Sequence, residues 1–128
     1  MKILLAEDDT SISAIARLTL QKVGGHEVVC AENGLEALAK ARLEKFDVII
    51  LDGMMPDLDG FETCKQLKED SKLKDVPVIF MTAKNQESDI QDGFKLGAIG
   101  YIVKPFDAKE LCNEIQKIFN KHLWSKAV

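Results

Sequence analysis

Asp47-Val48-Ile49-Ile50-Leu51-Asp52, followed by the segment from Gly53 to Gly60, is the stretch on which the fold turns. Val48 to Leu51 is apolar at every position. A strand with one wet face alternates, whereas an unbroken apolar run marks a strand covered on both faces, as in parallel sheets. The run halts at an aspartate. Gly53 to Gly60 then holds a proline, two aspartates and two glycines, and reads as a loop. Phe61, Cys64 and Leu67 follow at helical spacing. Three other runs repeat the form. Ile3-Leu4-Leu5-Ala6 leads into Glu7-Asp8-Asp9, Val78-Ile79-Phe80-Met81 into Thr82, and Gly100-Tyr101-Ile102-Val103 into Lys104-Pro105.

Helical patterns fill the intervals. Ile12, Ile15, Ala16, Thr19, Leu20 and Val23 repeat at helical period, with Asp9 or Thr10 as a cap and Gly24-Gly25 as an end. His26 to Ala31 reads as a short strand, and Leu35, Leu38 and Ala41 mark a helix behind the Asn33-Gly34 turn. Pro77 opens the fourth strand, where a proline costs least. Asp89 to Leu96 is a short helix with few apolar positions, expected to be the loosest element. Leu111, Ile115, Ile118, Phe119 and Leu123 form one face of a last helix that Asp107 can cap. Strict alternation of five strands with five helices predicts an α/β domain, a five-stranded parallel sheet with helices on both faces.

Composition narrows the function. The 128 residues suit one domain, and a net charge of −4 without a basic cluster argues against nucleic acid or an anionic membrane as a direct partner. No apolar stretch reaches spanning length and the N-terminus lacks a signal-peptide layout, so a cytoplasmic location is expected. Cys30, Cys64 and Cys112 are odd in number and far apart, which disfavours a disulfide framework or a zinc site. His26 and His122 stand alone and read as surface residues.

Parallel strands present all their carboxyl ends on one edge of the sheet. Taken singly, Asp9 is a helix cap, Asp52 a strand-ending aspartate, Thr82 a turn hydroxyl and Lys104 a solvated lysine. Together, four strands deliver acids, one hydroxyl and one ammonium to one edge. Carboxylates in that number repel unless a cation sits among them, so the pattern points to a magnesium-dependent phosphoryl site.

The segments ILLAEDD (3–9), DVIILDGMMPDLDGFE (47–62), VPVIFMTA (76–83) and GYIVKPF (100–106) resemble the receiver domain of two-component response regulators over essentially the whole chain. The resemblance implies a flavodoxin-like (βα)5 fold of strand order 2-1-3-4-5, with residues 1–123 as the receiver unit and 124–128 as a C-terminal tail. It implies that Asp52 accepts a phosphoryl group. Glu7, Asp8 and Asp52, with the Met54 carbonyl, would hold Mg2+. Thr82 and Lys104 would read the phosphoryl group, and Tyr101 would be the aromatic switch. The Lys104–Pro105 bond would be cis, a form that costs roughly 0.5–1 kcal/mol before proline. Side chains at Met54 and Lys84 would tune water access to the acyl phosphate. Implied partners are a sensor histidine kinase or phosphotransfer protein upstream, and a protein target or tethered output domain downstream. Dimerisation on phosphorylation is left open. The chain would be a phosphoacceptor with self-catalysed transfer and hydrolysis, not a turnover enzyme.

Three alternatives use parts of the same pattern. A haloacid-dehalogenase-like phosphatase also combines aspartates, threonine, lysine and magnesium, but places two aspartates two apart after its first strand, where this chain has Glu7-Asp8-Asp9. A flavodoxin-like flavin carrier needs a phosphate loop there, and three acids would repel the ligand. A degenerate receiver acting only as a binding module would lack some of these groups, and none is missing.

Overall fold

The computed structural model describes residues 1–127, Ala127 by its backbone alone. Strands β1 (Lys2–Ala6), β2 (Glu27–Ala31), β3 (Val48–Leu51), β4 (Val78–Thr82) and β5 (Gly100–Val103) alternate with helices α1 (Thr10–Lys22), α2 (Gly34–Leu43), α3 (Gly60–Glu69), α4 (Glu87–Lys95) and α5 (Ala108–Ala127). The strands form one parallel sheet in the order β2-β1-β3-β4-β5, as expected. β1, β3 and β4 are interior, and their continuous apolar runs are buried throughout.

Alternate residues of the same strands feed two cores. Leu4, Ile49, Leu51, Val78 and Phe80 pack with Leu38, Ala41, Cys64 and Leu67 from α2 and α3. Ile3, Leu5, Val48, Ile50, Ile79 and Met81 pack with Ala16, Leu20, Leu111 and Ile115 from α1 and α5. Burial of this kind contributes about 25 cal/mol per Å2 of apolar surface, which makes these two layers the main source of stability.

The helix starts follow capping chemistry. The Asp9 carboxylate accepts from the N–H groups of Ser11 and Ile12, Asn33 Oδ1 from that of Glu36, and Asp59 from that of Glu62. Asp107 accepts from the Lys109 N–H at the head of α5. α1 ends as its glycines suggest: Gly25 takes φ 67°, and the N–H groups of Gly25 and His26 donate to the carbonyls of Gln21 and Leu20.

Several expectations are corrected. α4 begins at Glu87, two residues before the expected start at Asp89, because the Asp89 carboxylate reaches back to the Gln86 N–H at 3.2 Å. Ile15, Val23, Leu35 and Leu123, which periodicity places towards the core, are exposed. His26 and His122 are half-buried, and His26 Nδ1 lies 3.0 Å from the N-terminal nitrogen of Met1. Residues 124–127, set apart as a tail, continue α5, and Val128 lies outside the described residues.

Candidate functional site

The backbone ladder runs one step past three strands and so fixes the residues behind them. The Glu7 N–H donates to the Ala31 carbonyl, the Asp52 N–H to that of Ala6, and the Lys104 N–H to that of Thr82. Glu7 and Asp52 are thereby carried into the protein at 2% and 5% exposure, a depth that carboxylates reach only with partners. The partner is Lys104. Its ammonium bonds Glu7 Oε1 and lies 2.9 Å from Asp52 Oδ2. The Met54 N–H donates to Asp52 Oδ1 at 3.0 Å, and the Asp9 N–H to Glu7 Oε2 at 3.2 Å. Among the described residues, no buried side-chain nitrogen or oxygen is left without a hydrogen bond. The Lys104–Pro105 peptide is cis, in line with the resemblance.

Two carboxylates and one ammonium cannot all be satisfied as full charges, and burial decides between them. Burial pushes the Glu7 carboxyl up to about 7, against the pull of Lys104 and with the Asp52 charge alongside. Burial works the same way on Asp52, but the Met54 N–H, Glu7 and Lys104 outweigh it and hold its carboxyl below the usual range. For Lys104, burial opposes the charge, and its bonds to Glu7 and Asp52 more than restore it. Of the two, Asp52 is the acid whose charged form the surroundings favour.

Asp8 is exposed to solvent. One carboxylate oxygen from each of Glu7, Asp8 and Asp52 falls within 4.8 Å of the others. An all-oxygen, partly open set of this kind fits a hard divalent cation such as magnesium, which keeps several waters. Neither histidine nor cysteine is part of it.

Thr82 and Tyr101, at the same edge of the sheet, make no hydrogen bond to these carboxylates. Thr82 is fully buried, and its Oγ1 accepts from the Lys84 N–H at 3.3 Å. The Tyr101 ring packs on Phe80 at 5.8 Å, and its hydroxyl donates to the Lys84 carbonyl at 2.8 Å. Burial first, then the charges of Asp89 and Asp52, push the Tyr101 phenol up to about 12. The Met54 side chain is exposed at the rim.

Phe61 and the glycines around it are not visible as site residues in the sequence. Periodicity marks Phe61 only as one apolar position of α3, yet its ring stacks on Phe80 at 4.7 Å and lies under the Lys84 ammonium at 5.0 Å. Gly60 lets α3 start against β3: a Cβ there would lie 2.1 Å from the Asp52 carbonyl oxygen. The one signal is the glycine that follows Asp59, and it reads equally well as part of a turn.

The same chain architecture recurs in solved structures. Chemotaxis protein CheY4 of Vibrio cholerae superposes with a TM-score of 0.85 at 39% identity, over 91% of this chain and 97% of that one. The beryllofluoride-activated receiver domain of DrrB gives 0.80 at 29% identity, over 93% and 97%. Among curated relatives, the alkaline phosphatase synthesis transcriptional regulatory protein PhoP of Bacillus subtilis is 40% identical across 94% of this chain and 49% of its own length. Transcriptional regulatory protein CrdR of Helicobacter pylori is 40% identical across 93% and 55%. The chain spans about half the length of these two relatives. The response regulator receiver domain family matches residues 3–116, a span that holds all five strands but for Lys2 at the start of β1, and every charged group of the pocket. A parallel sheet of this order, at these identities, with that match, makes the chain a member of the response regulator receiver domain family.

Proposed function

We propose that this chain is a phosphorylation-dependent signalling switch in which Asp52 takes a phosphoryl group from a phosphohistidine of a sensor kinase or phosphotransfer protein. The observation that carries the reading is Asp52 itself: a buried carboxylate at a strand end, held ionised between the Met54 N–H and the Lys104 ammonium. In the transfer, an Asp52 oxygen attacks phosphorus as the P–N bond breaks. The electron pair stays on the imidazole, which takes a proton, and an acyl phosphate forms on Asp52.

Magnesium, held by Glu7, Asp8, Asp52 and the Met54 carbonyl, would neutralise charge growing on the phosphoryl oxygens. Lys104 offsets the same charge from the protein side, and its place between Glu7 and Asp52 is fixed before reaction, so little reorganisation is needed. The product carries close to two negative charges and three acceptor oxygens. Thr82 would give its hydroxyl to one of them. The Thr82 oxygen now takes the Lys84 N–H and the Lys84 carbonyl takes the Tyr101 hydroxyl, so movement of Thr82 would be felt at Tyr101 and on the face made by α4, β5 and α5. That face would meet a protein target or a tethered output domain. Transcriptional regulation, named for PhoP and CrdR, is one output that such a domain serves.

The chain acts here as an acceptor, not as an enzyme that turns over. Incubation with acetyl phosphate and Mg2+ should add one phosphoryl group to the intact mass, lost in Asp52→Asn and placed on Asp52 by peptide mapping. Modification at another residue, or steady turnover of a small phosphomonoester, would replace this reading with the phosphatase one.

A further inference from the structure

We infer that Phe61 is a positioning residue for Lys84: its ring face parks the Lys84 ammonium at the rim of the pocket and thereby sets how fast an acyl phosphate on Asp52 is hydrolysed. The inference rests on Asp52 being the phosphoryl acceptor.

The Lys84 backbone is pinned at both ends, its N–H on the Thr82 hydroxyl and its carbonyl under the Tyr101 hydroxyl. In this arrangement its side chain is the part free to change partners. Two hold it now. The ammonium lies 5.0 Å from the centroid of Phe61, and 4.0 Å from Asp89 Oδ1 in the first turn of α4. Phe61 is itself fixed by stacking on Phe80, with ring planes 19° apart. Its place depends on the residue next to the acceptor. A Cβ at position 53 would lie 2.7 Å from Phe61 Cε2 and 3.2 Å from Thr82 Oγ1, so the ring occupies space that only a glycine at 53 leaves open. The ring therefore bridges the immediate neighbour of Asp52 and the ammonium of Lys84.

A cation–π contact and a long ion pair at a partly exposed site are both weak. A phosphoryl dianion on Asp52 would compete with them for Lys84. Hydrolysis requires a water oxygen to attack phosphorus while the P–O bond to Asp52 breaks. The carboxylate recovers the electron pair, and inorganic phosphate leaves with a proton released to solvent. An ammonium laid on the phosphoryl oxygens covers the approach of that water. An ammonium kept on Phe61 leaves it open.

Phe61→Leu keeps an apolar side chain and removes the ring face, whereas Phe61→Tyr keeps the face. After loading with acetyl phosphate and Mg2+ and removal of the donor, Phe61→Leu should hold its phosphoryl group several-fold longer than the parent. Phe61→Tyr should decay at the parent rate, and Phe61→Leu should have no effect in a Lys84→Ala background. A second readout needs no phosphoryl group. In the NMR spectrum of the unphosphorylated protein, the Lys84 ε-methylene protons should be shifted upfield by the ring in the parent and in Phe61→Tyr, and should return to ordinary values in Phe61→Leu. Thermal unfolding of each variant locates conditions in which all are folded. Parent-like decay of Phe61→Leu, the same slowing in both Lys84 backgrounds, or unshifted ε-protons in the parent would each overturn the inference alone. A parent that takes no phosphoryl group overturns the acceptor reading and the lifetime argument with it.

Discussion

Glu7 and Asp52 carry the same functional group, each one step beyond a buried strand, and they end with opposite protonation tendencies. The sequence identified both as acids of one pocket. It did not say which would keep a proton, because that depends on the backbone N–H each one accepts, on how they share the Lys104 ammonium and on how deep each oxygen is buried. Tyr101 shows the same dependence and offers a direct check, since it is the only tyrosine in the chain. Its phenol is pushed up to about 12, against an ordinary value near 10. Tyrosinate absorbance in the folded protein should therefore rise well above the ordinary range. With the folded value raised, the unfolded chain ionises first, so stability should fall as pH climbs from about 10 towards 12. Absorbance rising with an ordinary midpoint while the far-UV signal stays native would show that the ring is not held as described.

Helices and strands were legible because each has a strong period, and their boundaries were legible where a cap or glycine stood in the sequence. Which helical positions face the core was less so. Ile15 and Val23 fit the apolar repeat of α1, yet α1 is covered by the sheet and α5 along a narrower stripe centred on Ala16 and Leu20. Leu35 and Leu123 are left in solvent for the same reason. The joint between β3 and α3 was not legible at all, since it depends on a distance. A side chain at Gly60 would collide with the Asp52 carbonyl oxygen. Neither side can simply retreat, because the Gly60 N–H is bonded to the Gly53 carbonyl at 3.1 Å and the Asp52 N–H to that of Ala6 at 3.0 Å. Gly60→Ala should cost about 1–3 kcal/mol in denaturant unfolding, because relief of the clash must shift the backbone of Asp52, and on the proposed function it should also reduce phosphorylation there. Unchanged stability with unchanged phosphorylation would mean that the joint yields elsewhere.

For the molecule as a whole, binding at the carboxyl edge is linked to folding, because Glu7, Asp8 and Asp52 follow two strands that only the folded sheet brings together. Mg2+ at a hundred times its dissociation constant should add about 2.7 kcal/mol of stability. For a chain of this size that is a rise of roughly 10 °C in Tm. Asp8→Asn should lose most of the rise while leaving the metal-free Tm little changed, since Asp8 is exposed. An equal Mg2+ response in parent and variant would place the ion elsewhere. The two-sided core carries one more consequence. Glu7 falls in step with Ile3 and Leu5, Asp52 with Val48 and Ile50, and Lys104 with Ile102, all in the layer under α1 and α5. Thr82 and Tyr101 fall in step with Phe80, in the opposite layer. Side chains swap sides with every step along a strand, so the count from Val48 to Asp52 cannot change by one without turning the Asp52 carboxylate away from Glu7 and Lys104. Loops around the rim can lengthen or shorten in descendants of this chain, while an indel of odd length inside β3 would take the pocket apart even if the sheet still formed.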